Sequence, residues 1–299
     1  MTVPVPEGAL LAASRDPGTD RWVRRLPRLV AEVLDEWQLT ADGEPTTGFT
    51  ALVLPVVTDD RVPAVLKLGM PGDEEQHEHL ALQRWGGDGA VRLLRADPAR
   101  RALLLERLHR RDLTAVPDVE ACEVVAALYA RLHMPAPAQL VAQTTYVERW
   151  TDDLDRLPRS APVPHRLVEQ AVSLGRDLVA DPASVGTMIH GDLHYENVLA
   201  GDREPWLVID PKPTSGDPHY EVAPLLWNRW DELRGRYREG VRRRFHTVVD
   251  AAGLDEDRAR DWTVVRMVHN ALWEVEDHPD APDEDYLTMC VTVAKAVQD

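Results

Sequence analysis

Between Gly48 and Leu105 the apolar residues fall into short runs separated by turn residues. Residues 50–57 and 62–68, joined across Asp59-Asp60-Arg61, predict two strands linked by a short hairpin. From residue 73 to 85 the period changes: His77, Leu80, Ala81, Arg84 and Trp85 keep a three-to-four spacing, Asp73 can cap, and Gly86-Gly87 stops the run, which predicts a helix. Residues 91–94 and 102–105, separated by the turn at 96–100, predict a second strand pair. The result is a small sheet with one helix.

Beyond Leu108 the pattern is helical. Pro117 opens a segment in which Cys122, Val125, Tyr129 and Leu132 recur on one face, and Pro164 opens another with Leu167, Ala171, Leu174 and Leu178. Residues 187–190 and 206–210 form a strand-loop-strand island, helical patterns resume near Pro224, and residues 133–138 look like a local connector. The change of character at 106–113 divides the chain into a sheet-and-helix part, 1–108, and a mainly helical part, 109–299. That is an α+β class.

The densest polar cluster is His190-Gly-Asp-Leu-His-Tyr-Glu-Asn197, which follows one apolar run and precedes another that ends at Asp210. Two carboxylates and a carboxamide at strand mouths are what a divalent metal and an activated hydroxyl require. Asp192 is placed to accept or orient a hydroxyl proton, and Asn197 and Asp210 to offer hard oxygens to magnesium. A zinc pair at His190 and His194 is disfavoured, because four-residue spacing serves a metal on a helix face and His190 closes a strand. Neither G-x-x-x-x-G-K-S/T nor G-x-G-x-x-G occurs, so P-loop and Rossmann readings lack support.

Composition sharpens this picture. With 34 basic against 51 acidic side chains the formal charge is −17, which argues against nucleic acid or an anionic membrane as partner and favours a cationic ligand or plain solubility. No apolar run approaches membrane-spanning length, the N-terminus lacks a signal-peptide pattern, and only Cys122 and Cys290 are present; the expected location is cytoplasmic. Lysine stands only at Lys67, Lys212 and Lys295 in a chain otherwise rich in arginine. A lysine retained in that setting is a candidate for work that a guanidinium fork cannot do.

His190-Gly-Asp-x-x-x-x-Asn197 with Asp210 closing the next strand resembles the catalytic loop and metal aspartate of the aminoglycoside phosphotransferase branch of the protein-kinase-like fold. The wider string, HGDLHYEN through WLVIDPKP to GDPHYEVAPLLWN with GAVRLL and ALLLERL before it, resembles the streptomycin 6-kinase and hydroxyurea-type resistance kinases over roughly residues 46–231. The resemblance implies a two-lobed fold, a nucleotide-binding lobe at 1–108 and a helical lobe at 109–299 with catalytic loop and acceptor site. It implies ATP and Mg2+ as cofactors and phosphoryl transfer to a hydroxyl of a small cationic acceptor, with an aminoglycoside such as streptomycin the first candidate.

In kinase order, Lys67 resembles the lysine that grips nucleotide phosphates, with Glu78 as its carboxylate partner, Glu75 second and Glu74 also available. The residues 46–50, containing Gly48, are the candidate phosphate-covering loop, and Glu106 and Leu108 fall where adenine would meet backbone groups. Acceptor contacts are expected from acids beside tryptophans: Asp231 and Glu232 near Trp227 and Trp230; Trp273 with Glu274, Glu276 and Asp277; and Trp150 with Asp152 and Asp153. Asp210 is followed by Pro211 and Lys212 rather than Phe-Gly, with no recognisable activation segment, which fits a small-molecule kinase better than a signalling one. A monomer or weak homodimer is expected. The alternatives are a metabolic kinase for a sugar, amino alcohol or nucleoside, and a nucleotide-binding pseudokinase; intact Lys67, Asp192, Asn197 and Asp210 argue against the last.

Overall fold

The computed structural model describes residues 17–48, 50–72 and 77–299. The chain forms two compact units: residues up to Arg110 together with Ala200–Lys212, and Arg111–Leu199 together with Pro213–Asp299. The segment Ala200–Lys212, expected with the helical part, thus belongs to the first unit. Among the described residues no helix is long and apolar enough to cross a membrane.

The first unit contains α1 (Pro17–Glu36), β1 (Thr40–Ala41), β2 (Thr46–Thr47), β3 (Ala51–Val57), β4 (Pro63–Gly69), α2 (Glu78–Trp85), β5 (Leu93–Asp97) and β6 (Ala102–Glu106). The sheet has the order β1-β3-β4-β6-β5, with β2 also paired to β3, and its pairings are antiparallel. Helix α1 is not among the elements expected from the sequence. Pro27 lies inside it, where proline ordinarily breaks a helix, yet Trp22, Val23, Leu26, Val30 and Val33 recur on one face and are buried in the sheet's core. Ala64, Leu66 and Leu68 of β4 join that core with Leu52, Leu54 and Val56 of β3. Since side chains alternate along a strand, Lys67 faces the other side of the sheet.

Helix α2 ends as expected. Gly86 takes a left-handed φ of 60° and its N–H returns to the Leu82 carbonyl at 3.0 Å, a conformation that glycine reaches without penalty. Its expected start, Asp73, lies outside the described residues. Strand β5 begins later than expected because Val91 is used elsewhere: its N–H donates to the Val208 carbonyl at 2.8 Å, and the Val208 N–H donates to Gly89 at 2.9 Å. These bonds stitch Ala200–Lys212 to the first unit.

The second unit is mainly helical: α3 (Asp118–Leu132), α4 (Gln143–Asp155), α5 (His165–Ala180), α6 (Ala223–Trp227), α7 (Tyr237–Ala252), α8 (Glu256–Asp277) and α9 (Glu284–Ala296). Strand Thr187–Ile189 pairs antiparallel with Thr214–Gly216 on one side and with Met134–Pro135 on the other, so part of the expected connector at 133–138 is a sheet edge. Ile189 packs with Val147, Leu178, Tyr220, Trp262 and Val265. That core fixes the point at which the polar loop after Ile189 emerges.

Candidate active site

In the first unit, burial dictates the partners of Lys67. Lys67 is only 6% exposed, and an unpaired charge there would carry a large desolvation cost. The Nζ donates to Glu78 Oε2 at 2.7 Å, and Glu78 is itself 4% exposed. A second bond runs from Nζ to Asp210 Oδ1. Burial alone would lower the Lys67 pKa, but the charges of Glu78 and Asp210 and the bonds to both outweigh it and raise the pKa. The structure therefore brings Lys67, Glu78 and Asp210 together; Glu74 and Glu75 lie outside the described residues.

Asp210 sits at φ 57°, a left-handed backbone that aspartate tolerates better than most residues, two positions after strand Leu207–Val208. The segment carrying it is anchored by Arg203, which donates to the Glu106 carboxylate from Nε at 3.0 Å and from Nη2 at 2.7 Å. Glu106 also accepts the Arg92 N–H at 2.8 Å. Its side chain thus secures Ala200–Lys212, while the expectation at this position concerned only backbone groups. The Leu108 side chain lies against Gly201 in the same segment. Gly48 donates its N–H to Ala51 at 3.0 Å and closes the turn between β2 and β3; its neighbour Phe49 lies outside the described residues.

In the second unit, the loop after Ile189 is held by its backbone. Gly191, at φ 84°, donates its N–H to Glu221 Oε1 at 2.8 Å and receives Arg266 Nη2 on its carbonyl at 2.9 Å. The Asp192 N–H donates to His190 Nδ1 at 3.2 Å, so that nitrogen is the imidazole's acceptor. Asn197, buried at the end of the turn Tyr195–Asn197, donates from Nδ2 to the Asp192 carbonyl at 2.8 Å and lies 3.2 Å from His194 Nε2. This commits the amide nitrogen to the loop and reserves the carboxamide oxygen as the hard donor. Asp192 and Asn197 are therefore fixed to each other through one hydrogen bond.

Residues 36–278 match the family described as aminoglycoside/hydroxyurea antibiotic resistance kinase. The chain belongs to this family. It is 40% identical over 303 residues to a streptomycin 6-kinase of Streptomyces glaucescens, covering 99% of this chain and 97% of the relative. It is 42% identical over 266 residues to a hydroxyurea phosphotransferase of Kitasatospora aureofaciens, covering 86% of this chain and 75% of the relative. The aminoglycoside phosphotransferase APH(4)-Ia, solved in a ternary complex with ADP and hygromycin B, has the same fold: the TM-score is 0.60 at 14% identity, covering 89% of this chain and 97% of that one. As a member of this kinase family the protein is a small-molecule phosphotransferase, and the kinase-like α+β fold expected from its motifs is the observed one.

The loop at residues 190–197 rests on residues to which its motif assigned no role. Glu221 is fully buried and accepts from His133 Nε2 at 2.6 Å. Burial would raise its pKa, but the bond and charge of His133 and the Gly191 N–H hold it below the usual carboxylate value. Arg266 also donates to the Tyr220 carbonyl at 3.1 Å and lies over the rings of Tyr220, 4.3 Å, and Trp227, 5.2 Å. Asp217 caps the turn Pro218–Glu221 and accepts Trp262 Nε1 at 2.7 Å and Arg258 Nε at 2.5 Å. The sequence signal for Asp217 and Glu221 was their place in the string GDPHYEVAPLLWN, and Arg266 carried none.

The candidate acceptor acids divide by what neutralises them. Glu232 is gripped by Arg229 through bonds of 2.9 and 2.7 Å, and Asp231 pairs with Arg234 at 3.2 Å. Trp230 stacks on Tyr237 and Trp227 lies under Arg266. Glu274 accepts the Asp283 N–H at 2.7 Å and meets His278 Nδ1 at 2.9 Å. By contrast, Trp273 meets Trp150 edge-on at 4.7 Å, and Glu276 has a raised pKa, from burial first and then from the charges of Asp153 and Asp277. The structure gathers Trp150, Trp273, Asp153 and Glu276, with Asp153 already paired to Arg156, and commits Asp231, Glu232 and Glu274 to other partners.

Proposed function

We propose that this kinase transfers the γ-phosphoryl group of ATP, used with magnesium, to a hydroxyl of a cationic aminoglycoside, with streptomycin the first candidate. The observation that carries the reading is the buried Lys67, paired with both Glu78 and Asp210, a costly arrangement that core packing alone does not require. Lys67 neutralises charge on the nucleotide phosphates, and Glu78 orients its ammonium. Asp192 accepts the acceptor's hydroxyl proton as the oxygen attacks phosphorus and the bond to ADP breaks. Asn197 and Asp210 offer one carboxamide and one carboxylate oxygen. Magnesium prefers a sparse hard set of this kind, sharing itself with substrate phosphates rather than an all-protein cage, so these residues suit it. When bound, it would stabilise charge building on the transferred group.

Trp273, with Trp150, would pack against the acceptor's cationic groups, and Asp153, Glu276 and Asp277 would hydrogen-bond them. The acceptor class is supported by the 40% identity to a streptomycin 6-kinase over nearly the whole of both chains. Hydroxyurea is the second reading, favoured by the 42% identity to a hydroxyurea phosphotransferase. The test is acceptor-dependent ADP release with streptomycin, other aminoglycosides, hydroxyurea and neutral sugars. Release with streptomycin is expected; release with hydroxyurea alone selects the second reading, and release only with a neutral sugar overturns the cationic class.

A further inference from the structure

Tyr195 lies inside the catalytic loop, between Asp192 and Asn197, and is completely buried. Its hydroxyl donates to the Leu225 carbonyl at 3.0 Å. Two guanidiniums lie over its ring, that of Arg229 at 5.1 Å and that of Arg244 at 5.7 Å from the centroid. Arg244 is itself completely buried; its Nε reaches Asp118 Oδ2 at 3.2 Å and its Nη1 donates to the Asn228 carbonyl at 2.6 Å. Arg229 sits in a left-handed backbone at φ 57° and donates from Nη1 to the carbonyls of Leu113, 3.2 Å, and Val116, 2.7 Å. Apolar side chains of similar volume fill such a space at no greater cost than buried charges do. Guanidiniums differ in fixing direction: each is tied to named carbonyls, and the ring is attracted to where they are held.

We propose that Arg229 and Arg244 are positioning residues that hold the Tyr195 ring, and through it the turn Tyr195–Asn197, in the geometry that phosphoryl transfer needs. This rests on the kinase reading above. Asn197 ends that turn and bonds back to the Asp192 carbonyl. A displaced ring therefore moves the candidate metal donor and the candidate base together. Neither arginine touches the reacting atoms.

The test is steady-state kinetics of the full-length enzyme and its variants Tyr195→Leu, Tyr195→Phe and Arg229→Met, with streptomycin as acceptor and magnesium titrated at saturating ATP. Tyr195→Leu is expected to lower kcat by about 10- to 100-fold, the scale of a small misplacement of reacting groups, and to raise the magnesium half-saturation several-fold. Tyr195→Phe, which keeps the ring beneath the guanidiniums, recovers most of that loss, and Arg229→Met reproduces the Leu signature more weakly. A partly unfolded sample loses rate but leaves its magnesium half-saturation unchanged, so that constant separates positioning from folding. An unmoved magnesium constant in Tyr195→Leu and Arg229→Met overturns the proposal; if Tyr195→Leu fails to fold, Arg229→Met decides alone. A wild-type enzyme that phosphorylates no acceptor in the panel removes the kinase reading and this inference with it, whereas an active wild type with indifferent variants removes only the inference.

Discussion

Replacing Lys67 with methionine removes one ammonium and leaves two carboxylates that were built around it. Glu78 is 4% exposed and cannot recover its hydration without local opening, whereas the Asp210 side chain is 35% exposed and can. Breaking a buried ion pair by removing one partner costs about 3–5 kcal/mol, and the partial exposure of Asp210 places this case near the lower end. With a urea dependence of about 1–3 kcal/mol per molar, the unfolding midpoint of Lys67→Met should fall by about 1–3 M. The transition can be followed by fluorescence of Trp22, Trp37, Trp85 and Trp206, which belong to the first unit. Because the Lys67 pKa is raised, its stabilisation is fully present below the unfolded value of about 10.4 and is lost only as pH climbs through the folded one, so the penalty stays constant through neutral pH. Lys67→Met combined with Glu78→Leu should regain most of the stability, since two matched apolar residues replace a buried pair at little cost, while phosphotransfer remains lost. A single variant as stable as the wild type, or a double variant no more stable than the single, would refute the claim that the triad is kept for chemistry at the expense of stability.

Asp192→Asn should lower kcat by about 10²- to 10⁴-fold, with ATP affinity measured by calorimetry unchanged; near-normal turnover removes Asp192 as the base. Neutralising Glu276→Gln and Asp277→Asn together should raise the acceptor KM several-fold and leave that for ATP alone, and an unchanged acceptor KM dismisses this cluster. Burial pushes the His269 pKa down to about 3, so between that value and an unfolded value of about 6.5 the unfolded chain binds a proton that the folded one refuses. Stability should then fall with decreasing pH by about 1.4 kcal/mol per unit from this group, and His269→Gln should flatten acid unfolding by one proton; an identical slope sinks the assignment.

The parts that the sequence made legible are those whose signal is local. Alternation through residues 62–68 puts Lys67 on one face, the spacing of Glu78 with Leu82 and Trp85 turns it inward, and the loop from His190 to Asn197 is a contiguous motif. What escaped is held together by backbone atoms. Arg266 meets the Gly191 carbonyl across 75 positions, and Arg203 meets the Ala90 carbonyl across 113. A carbonyl acceptor is present at every residue, so it leaves no mark on the partner's identity. Helix α1 escaped for a different reason: Pro27 argues locally against a helix, and the burial of Trp22, Leu26 and Val30 against the sheet overrides it.

The acceptor acids show the same division acting on charge. Acids near tryptophans are common in a chain of net charge −17, and their meaning depends on whether a cation already neutralises them. Glu232 has Arg229, Asp231 has Arg234 and Asp153 has Arg156, each three positions away, so a local reading could have discounted all three. Asp153 and Glu276 come from different helices, α4 and α8, and only folding brings their like charges together. The raised Glu276 pKa records its burial first and that repulsion second, and a bound cation would relieve the second. By linkage, a ligand that lowers the Glu276 pKa must bind less tightly as falling pH protonates that carboxyl. A cationic acceptor held there should therefore lose affinity on acidification through Glu276, whereas one held by Glu232 or Glu274 would first have to displace the partners those groups already have.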